Sequence, residues 1–167
     1  GIHTPRAVIF DLDYTLLDSR KSWQYAVEES VAATCGRRIN ARPLVEEYHR
    51  RPWTHVLALL LQTTEQRSRC EAVCIEISKR SGLKKLLVHE GMGMALDALR
   101  GDQIDVGAIT RQPHALALKQ AQSTGLDRFL AVLAATPADA AFVTGKWQGA
   151  AITGPAPTFP TVAHHSP

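Results

Sequence analysis

Four consecutive apolar residues, Ala7-Val8-Ile9-Phe10, run directly into Asp11-Leu12-Asp13-Tyr14-Thr15, and no other feature constrains the fold as tightly. An uninterrupted apolar run, unlike an alternating one, is the pattern of a strand buried on both faces of a parallel sheet. Parallel neighbours need crossover connections, so such a strand implies helices on both sides of the sheet. On an extended segment, side chains two residues apart point the same way, so Asp11 and Asp13 are expected to face one small ligand. Ligands of open α/β sheets bind beyond the carboxyl ends of the strands, where this sequence puts both acids and the hydroxyl of Thr15.

The rest of the chain alternates in the same sense. A helix is expected from Asp18 or Ser19, with Trp23, Val27 and Val31 recurring every four residues until Gly36. Further helices are expected over 44–50 and 53–62, and one opened by the capping box Thr63 to Gln66 that runs through Cys70, Cys74 and Ile77 to a stop at Gly82. Met92, Leu96 and Leu99 form another helical stripe, residues 104–109 read as a strand ending at Thr110, and Pro113 opens a helix that closes near Gly125. Residues 129–133 read as a third short strand. The alternation predicts an α/β fold with a parallel sheet. From Gly145 onward, glycines and prolines punctuate the sequence and predict loop or tail. The first strand would then have an exposed apolar edge unless residues 141–143 or 150–153 cover it.

A chain of 167 residues accommodates one domain, or a core with an inserted module. With 45% hydrophobic and 21% charged residues, disordered, collagen-like and disulfide-scaffold classes are excluded. The net charge of +3 suits a small anionic substrate as well as nucleic acid and decides little by itself; a small phosphorylated substrate and no nucleic acid are expected. The longest apolar stretch, Val56 to Leu61, is far short of the ~20 residues that span a bilayer. No membrane association is expected, and the polar start from Gly1 to Arg6 carries no signal sequence, which predicts a cytoplasmic protein. Cys70 and Cys74 lie one helical turn apart without the further ligands that tetrahedral zinc requires, and read as small buried residues. Arg37, Arg38, Arg42, Arg50 and Arg51 read as a solvated helical face. Gly145-Lys146 is no phosphate loop, because Ala140 and Trp147 occupy the positions that require Gly and Ser or Thr.

The segment Phe10-Asp11-Leu12-Asp13-Tyr14-Thr15-Leu16-Leu17-Asp18-Ser19 resembles the first motif of the haloacid dehalogenase-like hydrolase superfamily, in its phosphatase branch, although Gly is commoner where Tyr14 stands. The second Asp argues against the dehalogenases. The resemblance continues from Glu90-Gly91-Met92 to Ile109-Thr110, which is similar to the helix and strand leading to the second motif, and through Gly125-Leu126-Asp127-Arg128-Phe129; it covers residues 7–135. It implies a Rossmann-like parallel sheet core, residues 1–19 and 86–167, with an inserted helical cap over 20–85. It further implies a Mg²⁺-dependent phosphatase acting on a small phosphorylated metabolite through an aspartyl phosphate. In that scheme Asp11 is the nucleophile and Asp13 the proton carrier. Thr15 supports the loop on the phosphate side and Thr110 binds the phosphoryl oxygens, while Mg²⁺ is held by Asp11 and the backbone carbonyl of Asp13.

Two family motifs are missing from their places. Thr136 stands where the family has a Lys, leaving as substitutes for phosphate binding Lys119, which on the helix after Thr110 reads otherwise as a solvated surface charge, or the more weakly placed Lys146 in the tail. No Asp or Glu follows Asp139, so the acidic group that completes the metal site has no counterpart unless Asp139 is recruited. Charge stabilisation dominates phosphoryl transfer, so slow turnover is expected. The alternative is a catalytically weakened domain of this type that binds a ligand or partner without turnover. The sequence carries no signal for substrate identity or oligomeric state.

Overall fold

The computed structural model describes residues 7–135 and 151–153 of the chain. The chain divides into two compact units, one of residues 19–86 and one of the segments on either side.

The flanking segments build a four-stranded sheet in the order β5-β4-β1-β6, from β1 (Ala7–Asp11), β4 (Asp105–Ile109), β5 (Leu130–Ala134) and β6 (Ala151–Thr153). Every neighbouring pair is parallel. Val8, Ile9 and Phe10 are all buried, as an unbroken apolar run in a central strand requires. β6 lies within the stretch that composition assigns to loop or tail; three residues carry too little periodicity to announce a strand among glycines and prolines. Its pairing with Val8 to Phe10 covers the apolar edge of β1. Residues 141–143, the other segment considered for that edge, lie outside the described residues.

Among the described residues, two helices flank the sheet. Helix α5 (Met92–Gly101) leads into β4, and α6 (His114–Thr124) starts just after Pro113 and ends at Gly125, whose φ of +77° is the left-handed conformation that closes a helix. Ala117 and Ala121, one turn apart on α6, are fully buried, and their small side chains let the helix lie close to the sheet. A second sheet has only two antiparallel strands of two residues, β2 (Leu17–Asp18) and β3 (Leu87–Val88). The pair joins the chain positions just before and just after the 19–86 unit.

The extended geometry expected from Asp11 to Asp13 is not what forms. Residues Leu12–Leu16 wind into a single π-helical turn, with Leu17 N–H bonded to the Leu12 carbonyl. The cause is local: the Asp11 carboxylate accepts the N–H of Asp13 at 3.3 Å and so caps the turn. Leu12 and Leu16 anchor it, both with no exposed surface.

The 19–86 unit is helical: α1 (Arg20–Cys35), α2 (Arg42–Tyr48), α3 (Trp53–Leu60), α4 (Thr64–Lys79) and a 3₁₀ turn, Ser81–Lys85. Its core gathers Trp23, Val27 and Val31 of α1 with Val45, Val56, Leu57 and Leu61, and the Trp23 and Trp53 rings stack at 5.7 Å. Cys70 and Cys74 are fully buried there, and Cys74 Sγ lies 2.8 Å from the Ser30 hydroxyl. The Cys70 sulfur, hydrogen-bonded to it, and burial both push the Cys74 thiol up. Thr63 caps α4 by accepting the Gln66 N–H at 3.2 Å. Helix α2 starts earlier than its apolar pattern suggests, because Pro43 fits the first helical turn. Helix α4 ends at Lys79, before Gly82, which instead serves the tight turn that follows. A Cβ at Gly82 would lie 2.9 Å from the Ile77 carbonyl oxygen, a close approach that only glycine tolerates. Gly82→Ala is therefore expected to destabilise the protein by about 1–3 kcal/mol in chemical unfolding; an unchanged midpoint would show that the turn shifts freely. Among the described residues no helix is long and apolar enough to cross a membrane.

Candidate active site

The parallel register of β1 and β4 pairs Asp11 with Ile109, so Asp11 and Thr110 follow the buried parts of adjacent strands at the same end of the sheet. Both are buried, Asp11 to 7% exposure and Thr110 to 1%. Thr110 is fixed from the far side, since its N–H donates to the Ala134 carbonyl of β5 at 3.0 Å.

The π-helical turn then carries Asp13 back over the end of β4. The Thr110 hydroxyl donates to the Asp13 carboxylate, 2.9 Å from Oδ2 and 3.2 Å from Oδ1. Asp13 Oδ1 also accepts from the side-chain amide of Gln112. Asp13 thus meets Thr110 and Gln112, which lie 97 and 99 positions further along the chain, at one point. Burial pushes the Asp13 carboxyl above its ordinary value, against the Gln112 and Thr110 hydrogen bonds that favour its charged form.

That shift has a sign for stability. A carboxyl whose folded value lies above its unfolded one binds extra protons when folded, so its contribution is most favourable below the ordinary carboxylate value and is lost as pH rises through the folded value. Without divalent cations, Asp13→Asn should therefore be at least as stable as the wild type at pH 7, with its advantage shrinking towards pH ~4, the ordinary aspartate range. Thermal melts across that range check this. An advantage that grows on acidification would contradict it.

The structure brings together Asp11, Asp13 and Thr110, while Thr15 sits half-buried in the π-helical turn that carries Asp13. Lys119 is exposed on α6, and no hydrogen bond or ion pair among the described residues joins it to Asp13, Thr110 or Gln112. Thr136, Asp139 and Lys146 lie outside the described residues. Gln112 and its partner Gln120 are absent from the sequence reading. The only local hint is an amide-bearing residue two positions beyond Thr110, just before the helix opened by Pro113.

Among the described residues no group of three or more His, Cys, Asp or Glu side chains gathers to hold a metal. On the family's scheme the donors would be the Asp11 carboxylate and the Asp13 backbone carbonyl, while the Asp13 carboxylate is taken by Thr110 and Gln112. Mg²⁺ commonly keeps several waters and takes one or two carboxylates plus substrate phosphate oxygens. The donor set fits a cation shared with substrate in that way, and does not fit an all-protein cage.

A family model described as haloacid dehalogenase-like hydrolase matches residues 8–139. No curated protein matches the sequence. Among solved structures, a HAD-superfamily hydrolase, subfamily IA, variant 1, from Geobacter sulfurreducens superposes with a TM-score of 0.74 at 17% identity, covering 97% of this chain and 83% of that one. A haloacid dehalogenase-like family hydrolase from Streptococcus pneumoniae gives 0.70 at 18% identity, covering 89% and 73%. A protein from Haemophilus somnus, described as a predicted phosphoglycolate phosphatase, gives 0.62 at 14% identity, covering 88% and 73%. At such identities the likeness establishes the shared fold.

Proposed function

The chain belongs to the haloacid dehalogenase-like hydrolase family, and on that premise we propose that it is a phosphatase that hydrolyses a small phosphorylated metabolite through an aspartyl-phosphate intermediate. The observation that carries this reading is the meeting of Asp13 with the Thr110 hydroxyl at the strand end where β1 delivers Asp11. A nucleophile, a proton carrier and a phosphate-binding hydroxyl are what the chemistry needs within one small volume. The likeness to the Haemophilus somnus protein supports the phosphate-ester class. Residues 20–85, on this reading, act as a cap that selects the substrate.

The steps use this chain's own residues. Asp11 attacks phosphorus with a carboxylate oxygen as the bond to the ester oxygen breaks, and Asp13 delivers a proton to the departing oxygen. Water then attacks the aspartyl phosphate, giving its proton to Asp13, and Asp11 is regenerated as inorganic phosphate leaves. Thr110 donates a hydrogen bond to a phosphoryl oxygen throughout. Mg²⁺, held by Asp11 and the Asp13 carbonyl, would offset the repulsion between carboxylate and phosphate.

Phosphate release from p-nitrophenyl phosphate tests the reading. Turnover that requires Mg²⁺, stops on chelation with EDTA and returns on readdition is expected, at a rate below about 10 per second. Phosphate binding without turnover would replace the enzyme reading with that of a ligand-binding domain.

A further inference from the structure

Asp13 is held by more than the phosphate-binding hydroxyl, and the second holder is itself held. The Gln112 amide N–H donates to Asp13 Oδ1, while the same amide forms a reciprocal pair with Gln120 on α6: Gln112 Nε2 to Gln120 Oε1 at 2.9 Å, and Gln120 Nε2 to Gln112 Oε1 at 3.0 Å. The pairing satisfies the Gln112 carbonyl and one of its two amide hydrogens, which leaves the other for Asp13. It also fixes which way the amide faces, since a turned amide would set its oxygen against the Asp13 carboxylate. The backbone N–H of Gln112 donates to the Thr110 hydroxyl oxygen at 3.0 Å, so the same residue orients the hydroxyl whose proton points at Asp13.

The Thr110 hydroxyl has one proton to give. In the structure it goes to Asp13; on the phosphatase reading it goes to a phosphoryl oxygen when substrate binds, and Asp13 loses that anchor. Gln112 is then the side-chain donor among the described residues that still holds Asp13. We propose that Gln112, locked by Gln120, is a positioning residue that holds Oδ1 of the Asp13 carboxyl group, so that the proton on Oδ2 is aimed at the ester oxygen after Thr110 has turned to the phosphate. The proposal rests on the phosphatase reading and assigns to α6 a role in proton delivery through Gln120.

Positioning of a proton donor matters most where the leaving group needs the proton. In Mg²⁺-containing buffer, Gln112→Ala should lose about 100-fold in kcat/KM with phenyl phosphate and only about 5-fold with p-nitrophenyl phosphate, because kcat/KM reports the phosphorylation of Asp11 and not the dephosphorylation that both esters share. Gln112→Glu, of the same size but without the donor, should show the same split, and Gln120→Ala a weaker one; Gln120→Ala carries the test if the substitutions at Gln112 prevent folding. Equal losses in kcat/KM on the two esters, or no loss on either, would overturn the assignment. Failure of the phosphatase reading looks different. Asp11→Asn that keeps the wild-type rate overturns the nucleophile while leaving the leaving-group split at Gln112 to be read, and a wild type inert towards both esters overturns both.

Discussion

Asp11→Asn is expected to lower phosphate-ester hydrolysis by at least about 10³-fold and to abolish the phosphorylated intermediate. The substitution is nearly isosteric, and the amide oxygen can still accept the Asp13 N–H that starts the π-helical turn, so the turn and its cargo should remain in place. What is lost is the negative charge and free electron pair that attack phosphorus. Asp13→Asn should behave differently. Cleavage of p-nitrophenyl phosphate releases a stable anion and needs little help from an acid, so phosphorylation of Asp11 should persist. Hydrolysis of the aspartyl phosphate needs a base for the attacking water, and so the phosphorylated chain should accumulate. Acid-quenched samples analysed by mass distinguish the variants: unmodified chain for Asp11→Asn, phosphorylated chain for Asp13→Asn. Equal absence of phosphorylated chain in both would defeat this division of labour.

The largest stability effect is expected in the helical unit. Leu57 has no exposed surface and packs among Trp23, Val27, Val31 and Val56, so Leu57→Ala should cost about 2–5 kcal/mol through lost transfer energy and the cavity left behind. A unit of residues 19–86 is below the ~80 residues at which a single core becomes comfortable, and a loss of that size consumes most of what it has. Leu59, two positions away on the same helix, is 55% exposed, and Leu59→Ala should stay within about 0.5 kcal/mol. The stacked pair of Trp23 and Trp53, two of the chain's three tryptophans, lies inside this unit, so in a Trp147→Phe background tryptophan fluorescence during urea unfolding reports on it. Equal costs at Leu57 and Leu59 would show that the α3 face is not packed as described.

Several features of the fold were legible because their causes are local. The run from Val8 to Phe10 announces a strand buried on both faces whatever surrounds it, and it is one. Gly36 and Gly125 close helices in the left-handed conformation, and Thr63 caps one, because the backbone groups they satisfy belong to neighbours in sequence. Together with the alternation of strand and helix around Thr110, these determined the α/β class with its parallel sheet, and the acids at the end of β1 pointed to where a ligand would meet it.

Other features depend on partners far along the chain. β6 is three residues long, and β2 and β3 two each; strands that short have no period to read and exist only because a distant edge offers its N–H and C=O groups. Asp13 is carried towards Thr110 by a π-helical turn that no alternation rule describes, and its contacts with Thr110 and Gln112 span 97 and 99 positions. The sequence by itself determined which residue types end the buried strands. Only the tertiary structure decided that Gln112 and Gln120 join them, because an amide's role depends on what it donates to, and that partner is fixed by how β4 and α6 lie against the turn after β1.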